Sequence, residues 1–273
     1  MSWQTLGVSV IGSSHIKTDK PCQDSHAFRP LSEDVLLIAV ADGLGSADLS
    51  QVGSRLAVDA ALDALEAAGP GADDSPEGWV ELLAQAFATA RRTLEERAAG
   101  ANVDLRDLGT TLICVVLAPE WAACGQVGDG AVVARTQDGA LALLSAPQRG
   151  EYANETVPLT TRNALELVRY STHTLPMDAL AVISDGLQNL SLLSTDYTPF
   201  DKFFNPFFDM TARTVDLEHT RAHIEEFFGS ERVCARTDDD KTLVVAARPQ
   251  PQPIEEEPDE EPPADEGADT GAQ

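Results

Sequence analysis

The sequence contains few basic residues and few aromatic ones. Its 273 residues include 19 Lys and Arg against 45 Asp and Glu, which gives a formal net charge of −26. Proteins that hold nucleic acid by its phosphates need clustered Lys and Arg, so this balance disfavours a nucleic-acid partner. It disfavours an anionic membrane surface for the same reason. Aromatic residues make up only 5% of the chain, so we expect a core built from Ala, Val, Leu and Ile.

Membrane spans, secretion signals and cysteine motifs are also missing from the sequence. No apolar run approaches the length of about 18 residues that a membrane helix needs. The N-terminal stretch has neither a basic start nor a long apolar segment, so we expect no secretion signal and a cytoplasmic protein. The cysteines, at positions 22, 114, 124 and 234, form no Cys-x-x-Cys pair and indicate neither a zinc site nor a redox pair.

The C-terminal segment differs in composition from the rest of the chain. Residues 249–273 contain nine acidic residues, no basic residue and one large apolar residue, Ile254. Such a segment cannot bury enough apolar surface to offset the entropy of ordering, so we expect it to be disordered. We therefore predict one domain over residues 1–248 and an acidic tail over residues 249–273. We expect the tail to act as a solvating segment, with partner binding as the alternative.

Hydrophobic periodicity predicts helices and strands in separate blocks of the sequence. Residues 53–68 and 77–99 carry apolar residues at helical spacing. Residues 110–144 hold four short apolar runs separated by turn residues, which predicts an antiparallel meander. Segregated helices and antiparallel strands are typical of a layered α+β fold. Buried strands are predicted for the isolated apolar runs 35–41, 179–183 and 242–247.

Aspartates stand at the ends of several of these apolar runs. Asp42, Asp129 and Asp185 each precede a glycine, and Asp239 lies just before the last predicted strand. An Asp-Gly pair taken alone is more often a simple turn. Glycine also lets a backbone carbonyl approach an ion closely. If these carboxylates converge, their repulsion requires protonation or a cation, and Mg²⁺ or Mn²⁺ prefers such oxygen ligands. Two such ions would suit phosphoryl transfer to water.

Six short motifs follow one another along the chain. They are CQDS at 22–25, ADGLGSA at 41–47, LGTT at 108–111, VGDG at 127–130, SDGL at 184–187 and DDDKTLVV at 238–245. Their order resembles the PPM family, the metal-dependent serine/threonine phosphatases also called PP2C. The resemblance is to a bacterial subgroup and covers residues 1–248. It implies a β-sandwich of two antiparallel sheets flanked by helices, with the active site at one end. It also implies hydrolysis of phosphoserine and phosphothreonine in proteins by a hydroxide that bridges two metals, without a phosphoenzyme.

The resemblance implies a set of metal ligands. Asp42 matches the carboxylate that bridges two ions, and the carbonyl of Gly43 matches a further ligand. Asp185 and Asp239 match the other carboxylate ligands, and Asp129 matches a position tied to a third ion in bacterial members. The implied cofactors are two or three manganese or magnesium ions. The implied partner is a phosphorylated protein that a serine/threonine kinase has modified.

Asp24 matches the acidic residue that holds a metal-bound water, and the chain departs from the family pattern close to it. Many members place an arginine five residues before this position, where this chain has Asp19. Lys20 is therefore the candidate phosphate-binding residue, as a point charge rather than a bidentate fork. Gln23 stands where many members have Glu. Leu44 stands where some members have a general-acid histidine, so no general acid is assigned.

Two other functions fit the same motifs. A catalytically weak module that binds phosphoproteins would share the fold, and the missing arginine favours it. The retained Asp42, Asp185 and Asp239 favour an enzyme. The sequence does not separate a protein phosphatase from an enzyme for a small phosphorylated metabolite. His15 is expected to stabilise its turn, and a contact with the site is the alternative.

Overall fold

The computed structural model describes residues 3–69, 75–148, 156–193 and 196–250. The predicted acidic tail lies outside these ranges, apart from its first two residues. The strands are β1 (Gln4–Val10), β2 (Ser25–Pro30), β3 (Leu36–Ala41), β4 (Leu112–Leu117), β5 (Trp121–Val127), β6 (Ala131–Thr136), β7 (Leu141–Ser145), β8 (Arg169–Thr174), β9 (Met177–Ile183), β10 (Leu192–Leu193), β11 (Thr198–Pro199) and β12 (Lys241–Ala247). The helices are α1 (Ser13–Lys17), α2 (Ser50–Ala68), α3 (Pro76–Ala101), α4 (Ala164–Leu167), α5 (Gln188–Ser191), α6 (Asp201–Arg213), α7 (Leu217–Gly229) and α8 (Glu231–Cys234).

Two antiparallel sheets of five strands each form the centre of the molecule. One sheet has the order β1-β12-β9-β6-β7, and the other has the order β2-β3-β4-β5-β8. Helices α2 and α3 cover the second sheet, and α6 and α7 cover the first. The predicted α+β sandwich of two sheets flanked by helices is therefore confirmed.

The central strands are buried on both faces, which explains why their sequences are continuous apolar runs. In β3, Leu36, Ile38 and Val40 belong to the core between the two sheets. Leu37 and Ala39, which point the other way, pack against α2 and α3. A third apolar layer lies between the first sheet and the phenylalanine-rich helix α6. The core thus consists of three apolar layers, one between the two sheets and one between each sheet and its helices. Aliphatic residues dominate the layer between the sheets.

The predicted meander over residues 110–144 is wrong in one respect. β4 pairs with β5 and β6 pairs with β7, but β5 and β6 belong to different sheets. The chain crosses between the sheets at Gly128, which has a φ of +113° and leaves no room for a side chain beside Thr111. Because both faces of these strands are buried, apolar pattern alone could not show which neighbours pair.

Elements with mixed polarity escaped the sequence prediction. Residues 13–25 are mostly polar and show no apolar run, yet the structure has the short helix α1 and the start of β2 there. β2 and β8 lie at the edges of their sheet and are only half-buried, so neither shows an apolar run. No helix within the described ranges is long and apolar enough to cross a membrane.

Arg135 on β6 joins three elements of the first sheet and its helix layer. Its side chain is only 8% exposed. It donates to both carboxylate oxygens of Asp178 on β9, at 2.8 and 3.2 Å, and to Asp209 on α6, at 2.8 Å. The guanidinium carbon also lies 5.3 Å from the centre of the Phe208 ring. This arrangement ties α6 to the sheet through a nearly buried charge.

Replacing Arg135 with alanine should lower the free energy of unfolding by about 2–3 kcal/mol, because it removes a nearly buried guanidinium with its hydrogen bonds to Asp178 and Asp209 and its contact with the Phe208 ring. Urea denaturation monitored by circular dichroism would measure this. Arg29→Ala is the matched control, since Arg29 also pairs with two carboxylates, Asp63 and Glu66, but at the exposed surface. The control should cost about 0–1 kcal/mol. Equal losses in the two variants would contradict the special role of the buried pair.

Candidate active site

Three predicted site residues meet at one end of the sandwich. Asp42 follows β3, Asp129 follows β5 and Asp185 follows β9. One carboxylate oxygen from each of them lies within 4.8 Å of the other two. β3 and β5 belong to one sheet and β9 to the other, so the cluster forms only because the two sheets pack face to face. The aspartates that the sequence placed at strand ends are therefore brought together by the sandwich.

The three carboxylates line a cavity of about 310 Å³, called here the carboxylate cleft. The loop after β3 forms part of its wall, and the segment just before β12 forms another part. Asp239, the fourth predicted ligand, lies in this wall, although it is outside the 4.8 Å cluster. The remaining lining residues are Ser14, His15, Gly43, Leu44, Gly45, Thr111 and Thr156.

Burial and mutual repulsion raise the pKa values of the clustered carboxyl groups. Burial is the largest cause for Asp42, whose pKa lies well above its ordinary range, and the charges of Asp24 and Asp185 add to it. Burial also raises the pKa of Asp185 to about 6, with added repulsion from Asp129 and Asp239. One buried oxygen of Asp185 has no hydrogen-bond partner within the described residues. A set of buried, mutually repelling carboxylate oxygens, one of them without a partner, fits divalent metal ions.

Asp24 lies behind the cluster rather than in the carboxylate cleft. One of its oxygens accepts hydrogen bonds from Ser184 Oγ at 2.7 Å and Thr242 Oγ1 at 2.6 Å, and the other is buried without a partner among the described residues. Burial raises its pKa to about 7 although these two hydrogen bonds oppose the shift. Asp24 lines a separate cavity of about 320 Å³ together with His26. Asp24 therefore does not line the carboxylate cleft, but its charge contributes to the raised pKa of Asp42.

The neighbours Asp239 and Asp240 have different surroundings. Asp239 is exposed in the wall of the carboxylate cleft, and its Oδ1 accepts from the backbone N–H of Asp240 at 2.8 Å. Asp240 points inward and is 2% exposed. Its carboxylate accepts from the N–H groups of Gly12 and Gln23, each at 2.6 Å, and from His15 Nδ1 at 2.9 Å. Asp240 thus fastens two separate segments beside the cleft, residues 12–15 and Gln23, a role that sequence reasoning missed.

His15 has both of the roles that the sequence left open. Its Nδ1 is fixed by Asp240, and the residue lines the carboxylate cleft. Lys20, the candidate phosphate-binding residue, is not among the lining residues. Its Nζ donates to the backbone carbonyl of Gly45 at 2.7 Å, so Lys20 stabilises the loop after β3 that lines the cleft. Leu44, in the same loop, is held through its N–H by the carbonyl of Gly109 at 2.9 Å.

Two glycines are required because chain segments approach closely around the carboxylates. A Cβ at Gly43 would lie 2.7 Å from the carbonyl oxygen of Gln23. A Cβ at Gly186 would lie 1.9 Å from the carbonyl oxygen of Asp240. The Asp-Gly pairs at these positions are therefore packing constraints as well as turns, since any larger residue would push the loops apart.

Two threonines complete the frame of the cluster. Thr111 accepts from the backbone N–H of Asp42 through its Oγ1 at 2.9 Å, and its own N–H donates to the Asp42 carbonyl at 2.8 Å. Thr156 donates its hydroxyl to Asp129. Thr111 belongs to the LGTT motif seen in the sequence, whereas nothing in the sequence around Thr156 indicated a contact with the site.

The profile of the family described as protein phosphatase 2C matches residues 11–229. "Serine/threonine-protein phosphatase 3" of Escherichia coli K12 is 34% identical over 253 residues, which are 90% of this chain and 98% of that protein. Two solved structures share the fold. The catalytic domain of the phosphatase PstP, in complex with 2 manganese ions, has a TM-score of 0.61 at 18% identity and covers 91% of this chain and 99% of its own. PppA of Pseudomonas aeruginosa has a TM-score of 0.62 at 18% identity and covers 90% of this chain and 98% of its own.

The family profile and the E. coli relative each extend over most of the chain and include the strand ends that form the carboxylate cleft. The predicted resemblance, fold and assignment as a protein phosphatase are therefore confirmed. This chain belongs to the protein phosphatase 2C family.

Proposed function

We propose that this chain hydrolyses phosphoserine and phosphothreonine esters in proteins with two or three divalent cations, manganese or magnesium, and without a phosphoenzyme. One observation carries the proposal. Carboxylate oxygens of Asp42, Asp129 and Asp185 converge to within 4.8 Å in an open cleft, and their pKa values are raised by burial and mutual repulsion. Without cations, that arrangement is unfavourable.

The ions would be held by Asp42, Asp185 and Asp239, by the carbonyl of Gly43, and by Asp129 if a third ion binds. Asp24 would act through water, since its charge raises the pKa of Asp42 and one of its buried oxygens has no partner among the described residues. When bound, such ions neutralise phosphoryl charge and lower the pKa of a water molecule enough for it to act as a nucleophile. The manganese ions of the related PstP structure support this choice of metal.

The chain's own residues supply position and a protected environment. Asp240 holds the segments that carry His15 and Gln23 against the cleft, and Thr111 fixes the backbone of Asp42. No cysteine lines the carboxylate cleft. Burial and nearby carboxylates raise the pKa of the Cys22 thiol, which disfavours a thiolate nucleophile. Direct attack by water on the phosphorus atom therefore fits the residues present.

We further propose the setting in which the reaction occurs. The substrate would be a protein phosphorylated by a serine/threonine kinase, and residues 1–248 would form the phosphatase domain. A cytoplasmic location is supported by the cysteines at 22, 114, 124 and 234, which are all unpaired.

Asp42→Asn should lower manganese-dependent hydrolysis of para-nitrophenyl phosphate by about a hundredfold or more, because cations at such sites contribute several kcal/mol to transition-state stabilisation. Asp239→Asn should also lower it. Asp63→Asn, at an exposed position on α2, is the control and should keep the wild-type rate. The proposed activity would be refuted if the wild-type protein bound manganese and a phosphopeptide but hydrolysed neither the phosphopeptide nor para-nitrophenyl phosphate. That result would favour a phosphoprotein-binding module.

The stability of the metal-free protein should fall as pH rises. Folding raises the pKa of Asp185 to about 6 and of Asp24 to about 7, from ordinary values of about 4. Between the pKa of the unfolded chain and the raised pKa of the folded state, the folded state binds more protons than the unfolded chain. The free energy of unfolding therefore decreases as the pH increases through this range. Thermal unfolding in the presence of a chelator at pH 5 and pH 7.5 would test this. We expect the Tm to be lower at pH 7.5, by on the order of several degrees. Added Mn²⁺ should flatten the dependence, and a metal-free protein that is more stable at pH 7.5 would contradict it.

Truncation of the chain after Gln250 should leave the hydrolysis of para-nitrophenyl phosphate unchanged. Gln250 is the last described residue that is tied to the fold, through its N–H and the carbonyl of Ala212 at 2.9 Å. The acidic segment beyond it lacks the apolar residues that would be needed to support the active site. Steady-state kinetics of the full and truncated chains would decide, and a large loss of kcat on truncation would show that the domain boundary is wrong.

A further inference from the structure

A second and larger cavity adjoins the carboxylate cleft. It has a volume of about 970 Å³ and shares Leu44, Gly45 and Thr156 with the cleft. We call it the arginine cleft, because Arg91, Arg106 and Arg162 line it. A phosphorylated side chain that reaches the carboxylates would therefore place neighbouring residues of its own chain in the arginine cleft.

Arg91 serves the structure of this cleft. Its side chain is 13% exposed and pairs with Glu95 at 2.7 Å. Its guanidinium also donates to the carbonyls of Leu159, at 2.7 Å, and Thr161, at 2.5 Å. These bonds hold the turn that precedes Arg162, so the backbone that carries Arg162 is fixed against α3.

Arg106 and Arg162 face solvent on two sides of the cleft. Arg106 is 86% exposed, and its side chain pairs only with Asp104, two residues earlier, at 3.2 Å. Arg162 is exposed and makes no hydrogen bond or ion pair with any residue in the described part of the chain. Two cations with little or no compensation are unusual in a chain with a net charge of −26.

The acidic residues in the same walls are already engaged. Asp104 accepts from the backbone N–H of Arg106 at 2.9 Å as well as from its side chain. Asp107 accepts from the N–H of Asp104 at 3.2 Å, which completes the capping of this short helical turn. These carboxylates therefore stabilise their own turn, and the Arg162 charge remains available to a ligand.

We propose that Arg106 and Arg162 bind acidic side chains next to the phosphorylated residue, so that the enzyme prefers acidic phosphoprotein segments; this rests on the proposed phosphatase function. Guanidinium groups pair well with carboxylates in a bidentate geometry. The overall negative charge of the protein would by itself favour basic substrates. A preference for acidic flanks therefore requires local cations at the place where the flanking residues lie, and the arginine cleft provides them.

Two phosphothreonine peptides that differ only in their flanks, Glu on both sides or Lys on both sides, would test the proposal with Mn²⁺ present. In the wild type, kcat/KM should be higher for the acidic peptide. The ratio of acidic to basic kcat/KM should fall about tenfold in the double variant Arg106→Glu/Arg162→Glu, and about threefold in the milder single variant Arg162→Gln. It should also shrink at high salt, because the cations are exposed.

Arg92→Glu is the matched control, since Arg92 lies on α3 with 66% exposure and is not among the residues that line the cleft. It reverses one positive charge, as each of the two substitutions in the double variant does, and should keep the wild-type ratio. A wild type that prefers the basic peptide, or a ratio equal in the Arg162→Gln, double and Arg92→Glu variants, would overturn the inference. Wild-type hydrolysis of para-nitrophenyl phosphate, measured alongside, reports on the proposed function separately. If it occurs while the ratios stay equal, the phosphatase stands and the acidic preference does not.

Discussion

Repulsion between buried carboxylates is the constraint on which the rest of this structure depends. The sandwich places Asp42, Asp129 and Asp185 at one end of its two sheets, at distances where all three cannot ionise without compensation. No lysine or arginine lies among the described residues that line the carboxylate cleft. A divalent cation would relieve this repulsion. Much of the surrounding hydrogen bonding keeps the repelling groups in place.

Asp240 lies close to the clustered aspartates but stabilises the fold, because its carboxylate has hydrogen-bond partners. It accepts from two backbone N–H groups and from His15. The next residue in the sequence, Lys241, is also buried. Lys241 in turn donates to the carbonyls of Ile11 and Asp239, at 3.4 and 3.0 Å. This network connects the start of β12 with the segment after β1. Asp239 consequently faces the cleft from a backbone that has little freedom to move.

Basic residues are scarce in this protein, and the structure uses them in distinct ways. Arg135 and Lys241 are buried and join elements of the fold. Lys20 donates to the carbonyl of Gly45 and so stabilises the loop after β3 that lines the cleft. Arg106 and Arg162 remain exposed beside the site. Both arginines are far in sequence from Asp19, the position where many family members carry an arginine.

From the sequence we could predict the helices α2 and α3, the buried strands and the aspartates at the ends of β3, β5 and β9, because apolar runs and their polar endings are local properties. Strand pairing could not be predicted in this way, since strands buried on both faces look alike in sequence, as β5 and β6 show. The fold also gives Asp239 and Asp240 different surroundings, because adjacent residues at the start of a strand point to opposite sides and their environments depend on distant segments. The positions of Thr156, Arg106 and Arg162 around the site were likewise fixed by packing between loops, for which a single sequence contains no periodic signal.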